Sequence, residues 1–262
     1  MAGRPLIGTS WKMNFTLAEA DTWFRTVLPL VGDLAARELF VLPPYTALPL
    51  ARERLGGSAV AWGAQDVSPD EDGAHTGDIS ARMLADLGCR FVMVGHVERR
   101  RDHGETADLI ARKVAAIARW DMRPILCVGE PARGPLAAVL AGLTADLATC
   151  LAGLTPVDAT RLVVAYEPAW AIGRGAQSAP VEHVASVHAA LHGWLQRWAP
   201  GAAVPIIYGG SVAEGEAGRL LALPGVDGLF IGRHALDPRG FAQLAHAGLL
   251  AAASEDARPV VA

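Results

Sequence analysis

The chain has 262 residues, 52% hydrophobic and 19% charged, with a formal net charge of −4. A single α/β barrel of about 250 residues fits that length without remainder, and a weakly acidic chain lacks the basic face that nucleic-acid binding needs. No apolar run approaches the ~20 residues of a membrane span. Met1-Ala-Gly-Arg-Pro lacks the apolar core of a signal peptide, and Cys89, Cys127 and Cys150 form no C-x-x-C pair, so a reducing, cytoplasmic setting is expected.

In chain order, eight short apolar runs read as buried parallel strands: Leu6 to Thr9, Leu39 to Leu42, Val60 to Gly63, Phe91 to Val94, Ile125 to Val128, Leu162 to Ala165, Val204 to Ile207, and Leu229 to Ile231. Helical periodicity fills the gaps. Thr16-Leu-Ala-Glu19 is a capping box opening a helix to about Val31. Ser80 to Leu87 stops at Gly88, and Glu105 to Trp120, Leu136 to Leu151, Val181 to Trp198 and Glu214 to Leu223 continue the alternation. Eight strand-helix alternations specify a (β/α)8 TIM barrel rather than an open doubly wound sheet. The whole of 1–262 reads as a single domain, with a frayed tail from about 253.

A barrel of this kind carries its chemistry just past the C-terminal ends of its strands. Those positions hold Ser10-Trp-Lys12 after the first run, Gly95-His96-Val97-Glu98 after the fourth and Glu167 after the sixth. Gly209-Gly210-Ser211 follows the seventh, and Gly232-Arg233 the eighth. Only Lys12 and Lys113 among the 23 basic residues are lysines, which singles out the compact ammonium at position 12. Glu167 is suited to take a proton from carbon beside a carbonyl. His96 is suited to polarise the carbonyl oxygen, and Lys12 to offset the developing charge. Backbone N–H groups at Ser211 and around Gly232 suit a phosphate. Pro168 to Gly175 follows as a hinged cover bracketed by Gly173 and Gly175. His188 and His192 have metal-compatible spacing on a helix but no third ligand, and read as a solvated face. The combination describes an isomerase moving a carbonyl along a small sugar phosphate, with no metal or organic cofactor.

The chain resembles the triosephosphate isomerase family over essentially its whole length. The motifs are Ser10-Trp-Lys-Met-Asn14, Gly73-Ala-His-Thr-Gly-Asp-Ile-Ser80, Gly95-His-Val-Glu-Arg-Arg100, Cys127-Val-Gly-Glu130, Ala165-Tyr-Glu-Pro-Ala-Trp-Ala-Ile-Gly173 and Tyr208-Gly-Gly-Ser-Val212. The resemblance implies Lys12, His96 and Glu167 as catalytic residues, with Glu98 partnering Lys12. It implies a lid that includes Pro168, Trp170, Ile172, Arg174 and Gly175, and phosphate-binding amides at Gly173, Ser211 and Gly232. It also implies a homodimer in which the Gly73 to Asp78 loop inserts beside the partner's lysine.

Several positions depart from the family pattern. Ser10 replaces the usual Asn beside the substrate, and Val97 replaces a Ser whose hydroxyl could hold Glu167. Arg174 stands in the usual Gly-Thr-Gly of the lid, Ala176 replaces the usual lysine, and His75 replaces aromatic bulk. Arg233 replaces the second of two glycines. If that site requires positive φ, Arg would cost about 1–2 kcal/mol there, so either the loop has moved or the guanidinium contributes to binding. Ser10 with Gly232-Arg233 is similar to a side branch of the family, the tetrulose-phosphate isomerases. The expected substrate is therefore either a triose phosphate (D-glyceraldehyde 3-phosphate to dihydroxyacetone phosphate) or a tetrulose phosphate of the L-erythrulose 1-phosphate type. The alternative of another class is a phosphate-ligand-binding homologue without catalysis.

Overall fold

Eight parallel strands close on themselves in chain order: β1 (Leu6–Ser10), β2 (Glu38–Leu42), β3 (Val60–Ala64), β4 (Phe91–Val94), β5 (Arg123–Val128), β6 (Val163–Tyr166), β7 (Ile206–Tyr208) and β8 (Gly228–Ile231). The barrel is sealed where β8 returns to β1, from Leu6↔Gly228 to Thr9↔Ile231. This computed structural model describes residues 4–32, 34, 38–155, 157–173, 178–212 and 215–256, the side chains of 248–256 excepted.

Continuous apolar runs form these strands because helices cover one face and the barrel interior the other. Inside, Phe40 stacks on Phe91 and Phe230 at centroid separations of 4.7 and 5.6 Å. Leu6, Leu42, Met93, Ile125, Val163 and Ile207 complete a packed plug. Open space for a ligand therefore lies at the rims.

The helices are α1 (Leu17–Val31), α2 (Leu48–Leu55), α3 (Ala81–Asp86), α4 (Val97–His103), α5 (Ala107–Ala118), α6 (Leu136–Cys150), α7 (Val181–Trp198), α8 (Ala217–Leu221) and α9 (Pro238–Asp256). Thr16 and Glu19 form the expected reciprocal cap, and α1 buries Ala20, Trp23, Phe24, Val27 and Val31 on one stripe. Ser80 caps α3, and Gly88 turns the chain at φ +73°.

Sequence periodicity did not reveal α2, α4 or α9. The first is short and carries Pro49 in its first turn, and α4 (Val-Glu-Arg-Arg-Arg-Asp-His) buries no residue at all. Residues beyond α9, including most of the expected tail, lie outside the described ones.

The paired histidines of α7 require a correction. His188 is fully buried, and its Nδ1 lies 2.9 Å from the Gly225 carbonyl. His192 Nε2 lies 2.9 Å from the same carbonyl and 3.0 Å from Asp227 Oδ2. They clamp the turn before β8 instead of facing solvent. Burial pushes the His188 imidazole down to about 4.

Candidate active site

Glu167 is the first residue beyond β6, and its backbone N–H donates to Val128 at the end of β5, 2.7 Å away. Its side chain is buried in space left by glycines of the neighbouring loops. A Cβ on Gly209 would stand 2.7 Å from Glu167 Cγ and 2.8 Å from Oε1, while one on Gly129 would meet the Glu167 carbonyl at 1.9 Å. Neither contact is sterically possible. Oε2 has no hydrogen-bond partner and lies 3.7 Å from His96 Nε2. The fully buried Cys127 thiol is pushed well above its usual range by desolvation and by the Glu167 carboxylate.

His96 follows β4 through Gly95 and serves as N-cap of α4. Its Nδ1 accepts the Glu98 N–H at 3.2 Å, so a neutral imidazole carries its proton on Nε2, the nitrogen turned toward Glu167. Helix α4, invisible to periodicity, thus sets the tautomer of the imidazole. Glu98 Oε1 accepts Lys12 Nζ at 2.7 Å, and Oε2 stands 3.6 Å from His96 Nδ1, beyond hydrogen-bonding distance.

Lys12 itself has left-handed backbone, φ +54°. Such a conformation costs about 1–2 kcal/mol for an L-residue and persists only where surroundings impose it. Here the Gln65 amide donates to the carbonyls of Lys12 and Leu42, both at 3.0 Å, and the Lys12 N–H reaches Ser10 Oγ at 3.4 Å.

A cavity of about 640 Å³ opens at this rim, lined by Lys12, Gly173, Ser211, Gly232 and Arg233 among others. Glu167 adjoins it through lining residue Gly209, and His96 through Glu98. Gly173 has φ +112°, a conformation natural to glycine. The Ser211 N–H donates to the Ala171 carbonyl at 2.9 Å. A 3₁₀ turn, Arg233–Leu236, starts directly after Gly232. Arg233 is not among the positive-φ residues, so the steric conflict considered for it does not arise. Its Nη2 donates to the Gly173 carbonyl at 2.8 Å.

The cover leaving β6 is anchored at its start. Ala169 N–H donates to the Glu130 carbonyl at 3.0 Å, and Trp170 Nε1 to Glu130 Oε1 at 2.8 Å. Tyr166 and His183 share that buried carboxylate. After the cover, Ser178 Oγ donates to Glu216 at 2.7 Å and Ala179 N–H to Tyr208 Oη at 3.3 Å. Ile172 lines the cavity, while Arg174 and Gly175 lie outside the described residues.

Comparison with known proteins agrees with this geometry. The family model described as "Triosephosphate isomerase" matches residues 5–248. The triosephosphate isomerase of Thermus thermophilus is 44% identical, covering 92% of this chain and 97% of that protein. Those of a Roseiflexus species (41%; 92% and 96%) and of Coxiella burnetii (39%; 93% and 97%) are similar throughout. The chain belongs to the triosephosphate isomerase family. It is an isomerase of that type, and the residues gathered at its rim stand on the motifs quoted for the family.

Sequence reasoning missed Gln65 in this triosephosphate isomerase-type site, and missed what Gly129 and Gly209 do there. Gln65, which holds the Lys12 backbone, is the first residue after β3, the same rim position that drew attention to Glu167. Gly129 and Gly209 stood in strand-end motifs, but nothing there showed that they make room for Glu167, because glycine after a strand is ordinary punctuation.

Proposed function

We propose that this family member interconverts D-glyceraldehyde 3-phosphate and dihydroxyacetone phosphate through an enediolate. The carrying observation is that three strand ends bring Glu167, His96 and the Lys12–Glu98 pair to one cavity rim. Glu167, with one oxygen free of hydrogen bonds, takes the proton from the carbon beside the carbonyl. The electron pair moves toward the carbonyl oxygen, where Nε2–H of His96 donates and the Lys12 ammonium offsets the charge. His96 passes its Nε2 proton to that oxygen and takes the proton of the neighbouring hydroxyl in return, while Glu167 returns the carbon proton to the adjacent carbon, which completes the carbonyl shift. Gly173, Ser211 and Gly232 offer N–H groups to the phosphate; that of Ser211 must be given up by, or shared with, Ala171.

A triose phosphate is favoured over a tetrulose phosphate for two reasons. The relatives are named for the triose reaction, and both departures that pointed to the longer sugar have local partners, Ser10 with the Lys12 N–H and Arg233 with Gly173. The check is kcat/KM for glyceraldehyde 3-phosphate against the tetrulose phosphates. A preference for the triose of about 10- to 200-fold is expected, the usual worth of one extra carbon group in a fitted pocket. An equal or reversed preference overturns the assignment, and phosphate binding without turnover of either sugar supports the non-catalytic alternative.

The enzyme works as a homodimer in a reducing, cytoplasmic compartment. Met13, beside Lys12, is 97% exposed, and the Gly73 to Asp78 loop stands out as a self-closed turn tied to Ser68. Cys89, Cys127 and Cys150 are buried free thiols, and no helix among the described residues is long and apolar enough to cross a membrane. Sedimentation as a single-chain particle would contradict the dimer.

A further inference from the structure

We propose that Arg100 is a positioning residue that holds His96 and Glu167 at their working separation by tying together the strand ends that carry them. This rests on the reading of those two residues as the pair that moves protons. Helix α4 starts directly after His96 yet buries none of its own residues, so apolar packing does not seat it. Polar side chains do so instead. Arg100 Nε–H donates to the Gly95 carbonyl at 2.8 Å, and Nη2–H to the Cys127 carbonyl at 3.3 Å. Gly95 and Cys127 are both buried, where a carbonyl that loses its donor is costly. The ladder between β4 and β5 ends at Val94↔Leu126. Gly95 and Cys127 stand one step beyond it, and the guanidinium bridges them there. Gly95 leaves it room, since a Cβ at that position, with φ +72°, would stand 3.2 Å from Arg100 Nη2. These two peptides lead to the chemistry. Gly95 precedes His96, and Cys127 precedes Val128, whose carbonyl accepts the Glu167 N–H at 2.7 Å. On its far side the guanidinium pairs with Asp146 of α6, Nη1 to Oδ1 at 3.0 Å and Nη2 to Oδ2 at 2.9 Å, which fixes the plane of the fork. Arg100 touches neither reacting group and acts through the two peptides. A lysine offers the charge, but its single ammonium lacks the planar fork that spans both carbonyls and the carboxylate.

The test compares the full-length enzyme with Arg100→Lys and Asp146→Asn, each well below its own thermal midpoint. Three quantities are read: kcat and KM for glyceraldehyde 3-phosphate, affinity for inorganic phosphate by calorimetry, and the nitrogen-15 resonances of the His96 ring. A displacement of about 1 Å costs about 100-fold, so kcat of Arg100→Lys should fall by that order while KM and phosphate affinity stay within about threefold of the parent. Asp146→Asn keeps an acceptor but loses the charge, and its kcat should fall about 10-fold. Freed from Arg100, α4 should offer the Glu98 N–H less well to His96 Nδ1, and the ring should populate the Nδ1–H tautomer beside the Nε2–H one. Turnover of Arg100→Lys within threefold of the parent overturns the proposal, even if the thermal midpoint drops, because the residue is then structural only. Phosphate affinity falling in parallel with kcat also overturns it, since the whole rim is then disturbed. If Arg100→Lys does not fold, Asp146→Asn decides alone, and an unchanged kcat with an unchanged His96 tautomer counts against the proposal. The nitrogen-15 reading does not depend on the sugar. A parent that turns over no triose phosphate, with the tautomer still shifting in Arg100→Lys, would defeat the substrate assignment and leave this inference standing.

Discussion

Glu167 occupies room that its neighbours leave by lacking side chains. Gly209 makes the tighter demand on activity, because a methyl there would press on the carboxylate itself, 2.7 Å from Cγ. Gly209→Ala should push the carboxylate by roughly 1 Å, and a displacement of that size costs about 100-fold in rate. Turnover within threefold of the parent, measured on a variant with an unchanged circular dichroism spectrum, would contradict this. At this scale the chemical residues were legible and their supports were not. Lys12, His96 and Glu167 stood at strand ends with side chains suited to one reaction. The requirement at Gly209 arises from a contact across two loops 42 positions apart, and no local pattern encodes it.

Whole elements were legible where burial imposes a period. The strands and the stripe of α1 follow from alternation between apolar runs and i, i+3, i+4 spacing. Helix α4 lacks any such stripe, yet it turns the His96 ring by offering Nδ1 the Glu98 N–H. The pair His188 and His192 was misread because spacing says which residues share a face but not what covers it. The cover is the turn at Gly225. Burial holds the His188 imidazole neutral, with its folded-state value near 4 against an ordinary 6.5. The unfolded chain therefore binds a proton that the folded one refuses between those values, and stability falls as pH drops through that window. At most about 3 kcal/mol is lost by pH 4 from this group. His188→Asn, whose amide can still donate to the Gly225 carbonyl, should flatten the fall of the urea midpoint between pH 6.5 and 4. An unaltered slope would show that other groups carry the acid sensitivity.

Across the whole molecule, barrel closure brings residues more than 150 positions apart to one rim, as with Lys12 and Glu167. The eight-fold alternation made that closure legible. It could not show that the second lysine, Lys113, lies buried between Asp66 and Glu105 with Arg99 beside them. Burial pushes the Asp66 carboxyl up, while Lys113 and Arg99 together outweigh burial and hold Glu105 down. Lysine scarcity marked two positions with separate tasks, one at the cavity and one in the ionic cluster. The central claim, that Glu167 moves a proton between carbons, is tested most directly by incubating the enzyme with dihydroxyacetone phosphate in deuterium oxide. Deuterium appearing on carbon is then read by nuclear magnetic resonance. The parent should incorporate the label, and Glu167→Gln should do so at least about 100- to 10,000-fold more slowly, the range for losing a positioned base. Incorporation by Glu167→Gln at a rate near the parent's would contradict the assignment.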